Sequence, residues 1–208
     1  MHPMAPPPRT RTPSTDVRSA LLRAAAHLLE TSGPDALSVR RIAASAHVAP
    51  MGVYNHFEGK HGVVEALWVE GFDRLRATME SLAGVDDPGD ALIEGFRRYR
   101  SLALEHPMAY RLMFLDAVPG FEPSVEAAWS AAMSFEALVA VARRAMEAGA
   151  VPDGDAVQMA QVMWAAVHGW VSLELDGLIF LADAGAGAEA MARSLVHGFR
   201  FPQGAPPA

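Results

Sequence analysis

The sequence contains no cysteine, and Lys60 is the single lysine among its 17 basic residues. The absence of cysteine excludes disulfide bonds and thiolate metal ligands. No apolar run is both long enough and sufficiently free of charge to span a bilayer. The segment 1–13, rich in proline, lacks the apolar core of a secretory signal. We therefore expect a cytoplasmic protein without a membrane partner.

The charge of the chain is unevenly distributed, although its formal net value is −7. Residues 1–60 contain seven Lys or Arg and four Asp or Glu, a balance of +3. Residues 61–208 contain ten and twenty respectively, a balance of −10. A basic end on an acidic body would orient the protein on a polyanion. The basic excess is small, so it supports nucleic-acid binding only in combination with a DNA-binding motif.

The segment 37–60 reads LSVRRIAASAHVAPMGVYNHFEGK and contains two short helical patterns separated by a tight turn. Ser38 can cap the first helix, because its hydroxyl can accept a free backbone N–H. Pro50 suits the first turn of the second helix, where no intrahelical N–H partner is lost. Two short helices joined in this way form a helix-turn-helix, whose second helix fits the DNA major groove.

The rest of the chain shows helical periodicity and no convincing strand pattern. This predicts an all-α protein with an N-terminal three-helix helix-turn-helix domain and a larger helical bundle. The expected ranges are a disordered Pro/Arg tail at 1–13, the DNA-binding domain with its linking helix at 14–82, a regulatory domain at 83–201 and a frayed tail at 202–208. Pro and Gly clusters separate helices expected at 15–31, 59–82, 88–105, 107–115, 123–147, 153–182 and 186–201.

The run Y-N-H-F-E-G-K, from Tyr54 to Lys60, resembles the Y-x-H-F-x-x-K signature that closes the DNA-binding domain of TetR-family transcriptional regulators. The preceding L-S-V-R-R-I-A is similar to that family's first helix-turn-helix element. Two positions depart from the family pattern: His47 replaces the usual turn Gly, and Ala49 replaces a Ser or Thr cap. His tolerates positive φ better than most residues, and the missing cap costs about 1 kcal/mol.

A second resemblance lies in the regulatory part, where Trp164, His168 and Gly169 match the W-x-x-x-H-G element of a TetR subgroup. The predicted helix at 153–182 is apolar on more than one side and must be covered on more than one side. Paired across a two-fold axis, the last two helices would make a four-helix interface. The same arrangement is what the family resemblance implies, so we expect a homodimer through these helices.

The candidate DNA contacts lie in the helix-turn-helix and at the start of the following helix. Tyr54 and Lys60 are expected to bind phosphate oxygens, and Arg40 to reach a base edge or a phosphate. Asn55 can read a base or a phosphate, and Gly52 permits close approach. Arg9 and Arg11 either form a minor-groove arm or belong to a disordered tail. The full predicted set is Ser38, Arg40, Pro50, Met51, Gly52, Tyr54, Asn55, His56 and Lys60.

Methionine and aromatic residues supply a candidate apolar ligand site in the regulatory domain. His168 is either a satisfied core histidine or a polar group that orients a ligand. The eight histidines are scattered, so we expect no metal site and no cofactor. The predicted ligand-binding residues are Phe96, Tyr99, Met108, Met113, Phe114, Met163, Trp164 and His168.

These patterns predict a ligand-responsive DNA-binding regulator, a repressor released from a near-palindromic double-stranded operator by a small apolar effector. One alternative is an activator or repressor without a small-molecule effector, in which the regulatory core is solid. Another alternative is a helical small-molecule enzyme that retains a helix-turn-helix. The chain has no phosphate loop and no G-x-S-x-G motif, which argues against an enzyme.

Overall fold

A computed structural model describes residues 14–199, and every regular element within that range is helical. The predicted all-α fold is confirmed. Two short 3-10 turns occur at Pro34–Ala36 and Ser81–Gly84. The α-helices of the described range are α1 Ser14–Ser32, α2 Val39–Ser45, α3 Pro50–Phe57, α4 Lys60–Glu80, α5 Pro88–Glu105, α6 Pro107–Phe114, α7 Val125–Glu147, α8 Ala156–Leu175 and α9 Ala184–Gly198. The predictions for 1–13, including the Arg9 and Arg11 arm, and for 202–208 lie outside the described residues.

Short polar side chains set the starts of most long helices. The Asp87 carboxylate accepts the Asp90 backbone N–H at 2.8 Å and begins α5. The Ser124 hydroxyl accepts the Ala127 N–H at 3.1 Å and begins α7, two residues later than the sequence pattern predicts. Asp155 and Asp183 cap α8 and α9 in the same way. Each cap satisfies an N–H that the first helical turn leaves free.

The helix-turn-helix forms as predicted, with α1, α2 and α3 packed on one another. The Ser38 hydroxyl accepts the Arg41 N–H at 3.3 Å and caps α2. His47 adopts a φ of 56° in the turn. This is the left-handed region expected at the position where the family pattern has Gly, and His tolerates it better than most residues. Ala49 precedes α3 and makes no side-chain cap bond. Ile42 and Val53 are fully buried and fix α2 and α3 in the small core.

The chain divides into two compact units, one of residues up to Leu67 and the other from Trp68 onward. This division falls inside α4, earlier than the boundary expected at residue 82. The reason is that the second half of α4 packs within the later unit. Phe72 meets Phe114 edge to face, with ring centroids 5.2 Å apart. A side chain at Gly71 would meet the Met113 sulfur, so glycine lets α4 and α6 approach closely.

The expected end of α8 was wrong, because the helix stops at Leu175 rather than at residue 182. Gly177 adopts a φ of 69°, and the Leu178 N–H turns back to the Leu173 carbonyl at 2.8 Å. This left-handed glycine closes the helix in the usual C-terminal manner. The predicted helix was too long because the residues after Gly177 are also apolar. In the structure, Leu178 and Phe180 lie in an exposed connection to α9.

The expectation that no run is apolar enough for a bilayer also needs correction. By length and composition alone, α7 would suffice to cross a membrane. In the structure α7 packs against α5 and α8. Val139, Ala142 and Ala145 are fully buried by that packing. The apolar residues on this side of α7 therefore belong to the core of the helical bundle.

Candidate nucleic-acid interface and apolar cavity

The outer face of α3 carries side chains that the small unit itself does not cover. Met51 is 64% exposed and Tyr54 is 52% exposed, and Pro50 and Asn55 are also exposed. Met51, Tyr54 and Asn55 share one face, since they follow the three- and four-residue spacing of a helix. This face offers an amide, a phenol and a thioether for contact with an external partner.

The predicted phosphate-binding pair lies at the junction of α3 and α4. The Tyr54 ring lies within about 4 Å of the position that a side chain on Gly59 would occupy. Lys60 follows at the first position of α4 and is exposed. Arg40 is exposed near the start of α2. Ser38 and His56 are half-buried, and the Ser38 hydroxyl is engaged in capping α2.

Gly52 was predicted to permit close approach to DNA, but it also has a packing role within the N-terminal unit. A Cβ at this position would lie 2.6 Å from the Val48 Cγ1 atom and 3.9 Å from Leu21. The position that a side chain on Gly52 would occupy therefore faces the turn and α1. A larger residue here would require the Val48 side chain to move, so glycine lets α3 approach Val48 closely.

Gly62 was missed in the sequence analysis, although it determines how α4 leaves the helix-turn-helix. A Cβ on Gly62 would lie 1.8 Å from the carbonyl oxygen of Phe57, which is a backbone atom and cannot swing away. Phe57 is 5% exposed, and the Arg18 guanidinium lies 4.9 Å from its ring centroid. Phe57 thus anchors α3 in the core while Gly62 lets α4 begin beside it.

The later unit contains an apolar cavity of about 190 Å³ between α4, α5, α6, α7 and α8. Five of the predicted ligand-binding residues line it: Phe96, Tyr99, Phe114, Met163 and Trp164. The predicted ligand-binding set contains no residue of α4 or α7, yet both helices form walls. The lining residues outside that set are Phe72, Leu75, Met79, Leu82, Ala91, Leu92, Gly95, Ala131, Ser134, Phe135, Leu138, Val141 and Val167.

Three predicted ligand-binding residues do not line this cavity. Met113 is buried against α4 at Gly71, because the missing side chain there leaves room for its sulfur. Met108 is half-buried near the start of α6 and is outside the lining. His168 also lies outside the lining, because its ring nitrogen is held by two tyrosine hydroxyls.

These hydroxyls form a polar cluster behind the aromatic wall of the cavity. The Tyr110 hydroxyl lies 2.7 Å from the His168 Nδ1 atom, and the Tyr99 hydroxyl lies 3.2 Å from the same nitrogen. The Trp164 indole N–H donates to the Tyr99 hydroxyl at 3.3 Å. Nδ1 is an acceptor for tyrosine O–H groups only in the neutral imidazole that carries its proton on Nε2.

Burial keeps the members of this polar cluster neutral. It lowers the pKa of His168 below the ordinary value of histidine. It also raises the pKa of the Tyr99 and Tyr110 hydroxyls above that of an exposed tyrosine. The cluster therefore fixes the Tyr99 and Trp164 rings through neutral hydrogen bonds. This geometry favours the satisfied core histidine over the ligand-orienting histidine.

One side of α8 exposes apolar and small residues. Val162 is 39% exposed and Leu173 is 46% exposed, while Val171 on the other side is fully buried. A Cβ on Gly169 would meet no atom within 4 Å, so packing within the protomer does not require glycine there. On α9, Val196 is buried and Leu195 is half-buried. The predicted two-sided apolar character of α8 is therefore present within the described residues.

Taken together, a helix-turn-helix followed by a helical bundle with an apolar cavity defines the class of helical DNA-binding regulators. Residues 92–199 match the family described as Tetracyclin repressor-like, C-terminal domain. Residues 21–67 match bacterial regulatory proteins, tetR family. The chain belongs to the TetR family and is a DNA-binding transcriptional regulator. Ligand binding and homodimer formation are typical of this family.

Several known proteins resemble the chain over most of its length. An uncharacterized HTH-type transcriptional regulator of Mycobacterium tuberculosis, Rv0681, is 24% identical over 169 residues, which cover 81% of this chain and 75% of that protein. A protein of unknown function from Rhodococcus sp. RHA1 is 27% identical, with a TM-score of 0.79 over 92% of this chain and 97% of its own. The TetR family regulator PfmR from Thermus thermophilus shares the fold at 21% identity, with a TM-score of 0.66 over 86% and 98% of the two chains.

Proposed function

We propose that this regulator is a homodimeric repressor that a small apolar effector releases from a near-palindromic operator. The observation that carries the ligand response is the cavity of about 190 Å³ in the later unit. Its walls come from five helices, so an occupant would contact α4 as well as the rest of the bundle. A ligand shifts the protein toward a non-binding shape only through its different affinity for the two shapes.

The DNA side of the proposal rests on the exposed face of α3. Met51, Tyr54 and Asn55 would enter the major groove, and Arg40 and Lys60 would contact phosphates or base edges. In a dimer, two such helices would reach successive major grooves about 34 Å apart. This spacing is the reason for expecting a near-palindromic operator.

The dimer part rests on the exposed apolar side of α8, where Val162, Gly169 and Leu173 leave a surface that the protomer does not fill. The expected partner elements are α8 and α9 of a second copy. Apolar faces of this kind are stable in water when a second subunit covers them.

A second candidate function is a regulator that has no small-molecule effector. It is favoured by the size of the cavity, because about 190 Å³ is smaller than the roughly 300–1,000 Å³ usual for ligand pockets. The two functions differ in whether an occupied cavity changes DNA binding.

The distinguishing experiment begins with DNA selected by the full chain from random duplexes. Its binding is then measured by fluorescence anisotropy in the presence of a panel of small compounds, both neutral and charged. We expect at least one compound to raise the melting temperature and to weaken DNA binding, and Ala131→Leu, which fills the cavity, to abolish both effects. Compounds that stabilise the wild type through the cavity but leave DNA affinity unchanged would establish the effector-free alternative.

A further inference from the structure

We propose that the cavity is built for an uncharged molecule with an aromatic ring and a short alkyl chain. This inference rests on the proposed function of the cavity as the effector site. It adds the chemical class of the effector, which follows from the shape, the wall chemistry and the charges of the described residues.

The lining of the cavity extends along α5 and α7. Its α5 wall runs from Ala91 to Tyr99, which is about 12 Å at the helical rise per residue. Its α7 wall runs from Ala131 to Val141, about 15 Å on the same basis. An elongated ligand therefore fits these walls better than a spherical one.

One end of the cavity is aromatic. The Phe114 ring centroid lies 5.2 Å from that of Phe72, 6.4 Å from that of Tyr99 and 6.0 Å from that of Trp164. The Trp164 ring is also 5.9 Å from Phe135. Ring centroids at roughly 4.5–7 Å are the usual separation for favourable aromatic pairs. A ligand ring inserted among these side chains would make the same kind of contact.

Beyond these rings the lining is mainly aliphatic, apart from Phe96 on α5. The Leu82 Cδ1 atom lies 3.2 Å from where a Cβ on Gly95 would be, which places Leu82 beside the first half of α5. Arg144 donates to the Leu82 carbonyl at 3.1 Å, and Val141 lies one turn before Arg144 on α7. Val141 and Leu82 thus share this part of the lining, with Met79 contributed by α4. Their side chains suit an alkyl chain.

None of the eighteen described residues that line the cavity carries a formal charge. The arginines of α5 are committed elsewhere: Arg97 to Glu189, Arg98 to Glu94 and Arg100 to Glu174. Arg144 is occupied by the carbonyls of Leu82 and Val85. An ion in the cavity would lose its hydration without gaining a counter-charge, which is strongly unfavourable.

The polar atoms of the lining are also committed. The Ser134 hydroxyl donates to the Ala131 carbonyl at 2.8 Å within α7. The Tyr99 hydroxyl accepts from Trp164 and lies 3.2 Å from His168 Nδ1. The wall therefore offers a ligand few free hydrogen-bonding groups. The volume of about 190 Å³ exceeds the roughly 150 Å³ of an engineered apolar cavity that holds benzene, which leaves room for a few more carbon atoms.

The test compares four probes of similar size by calorimetry and thermal shift on the full chain. Butylbenzene has the proposed form, and phenylpropylammonium replaces its terminal methyl group with a charged group. Phenylpropionate carries a negative charge, and butylcyclohexane lacks the aromatic ring. We expect butylbenzene to bind tightest, butylcyclohexane about threefold to tenfold more weakly, and both ions at least about a hundredfold more weakly.

Ala131→Leu fills the cavity and should abolish butylbenzene binding. Ala132→Leu is the matched control, because Ala132 is exposed on the same helix and is outside the lining. Leu138→Phe is a second cavity-filling variant if Ala131→Leu does not fold. Binding to Ala132→Leu should equal binding to the wild type.

Either ion binding within tenfold of butylbenzene would overturn the uncharged class, as would no binding by butylbenzene. These outcomes are separate from failure of the effector-site function. That function fails if no compound whose binding is abolished by Ala131→Leu, charged or neutral, alters DNA affinity. A charged compound that releases DNA through the cavity would keep the effector site and reject the ligand class.

Discussion

The two units of this chain place their predicted contacts in opposite surroundings. In the residues up to Leu67, Met51 and Tyr54 are candidate contacts on the outside of α3, and both are more than half exposed. In the residues from Trp68 onward, five of the eight candidate ligand contacts line an apolar cavity with uncharged walls. An exposed face suits a large polar partner, whereas an apolar cavity between helices suits a small apolar one. The proposed DNA contacts and the proposed effector contacts therefore differ in their solvent exposure.

The largest expected effect concerns the backbone of the N-terminal unit. Gly62→Ala places a methyl group 1.8 Å from the Phe57 carbonyl oxygen before relaxation. We expect a loss of at least about 3 kcal/mol in the free energy of unfolding of this unit, together with loss of DNA binding. Denaturant unfolding monitored by circular dichroism measures the effect.

Gly84→Ala is the matched control, since a Cβ on Gly84 would meet no atom within 4 Å. It should change the free energy of unfolding by less than about 0.5 kcal/mol. Equal stability of the two variants would show that α4 does not need glycine to start beside Phe57.

A smaller effect is expected from a charge on the exposed side of α8. Leu173→Glu should leave the protomer folded, because Leu173 is 46% exposed, but should raise the dimer dissociation constant at least about a hundredfold. Sedimentation velocity over a concentration series measures this constant. Leu104→Glu, at a position 37% exposed on α5, should leave the dimer intact. A dimer of wild-type affinity in Leu173→Glu would remove this side of α8 from the interface.

His168 distinguishes an internal hydrogen-bond cluster from a ligand contact. His168→Asn removes the Nδ1 acceptor that the Tyr110 and Tyr99 hydroxyls share and should destabilise the protein by about 1–3 kcal/mol. Burial lowers the pKa of His168 in the folded state, so the unfolded chain binds the proton more readily.

The pH dependence of His168 follows from that difference. Its contribution is fully present above the unfolded pKa of about 6.5, and it is lost as the pH falls from there through the lowered folded pKa. His168→Asn should remove this component from thermal melts recorded between about pH 8 and about pH 5. Wild-type stability with weakened effector response would instead support a ligand-orienting histidine.

The smallest effect is expected at the DNA-facing surface. Lys60→Ala would remove one proposed phosphate contact, so it should weaken binding to all sequences alike by about 1 kcal/mol and lower the salt slope by about 1. Anisotropy titrations at several salt concentrations measure both quantities. Arg74→Ala serves as the control, since Arg74 is exposed on α4 and pairs with Glu70. An unchanged salt slope in Lys60→Ala would place Lys60 away from the phosphates.

Features that depend on residues close to one another in the sequence were predictable from it. The Ser38 cap, the Pro50 helix start and the left-handed His47 all follow from local rules, and all are present. The packing role of Gly52 and the importance of Gly62 could not be predicted, because both depend on atoms that tertiary folding brings within reach. Local sequence therefore identifies the motif but not the packing contacts that hold it together.

The cavity was predictable only in part, for a related reason. Large aromatic residues such as Phe114 and Trp164 can be recognised in a sequence as candidates for an apolar site, and both line the cavity. Ala131 and Ser134 give no such signal, although small side chains on α7 help to leave the space open. Met113 is an equally suitable residue type, but Gly71 provides another place for its side chain. Empty space is a property of several helices together and has no local sequence pattern.

The proposed regulation requires that an occupied cavity weakens DNA contact by the exposed face of α3. The most direct measurement is the anisotropy of a selected DNA duplex titrated with the wild type and with Ala131→Leu, each with and without saturating butylbenzene. We expect butylbenzene to raise the wild-type DNA dissociation constant at least about tenfold, within the usual range of allosteric coupling, and to leave that of Ala131→Leu unchanged. Undiminished DNA affinity of a wild-type protein that calorimetry shows to be saturated with butylbenzene would contradict it.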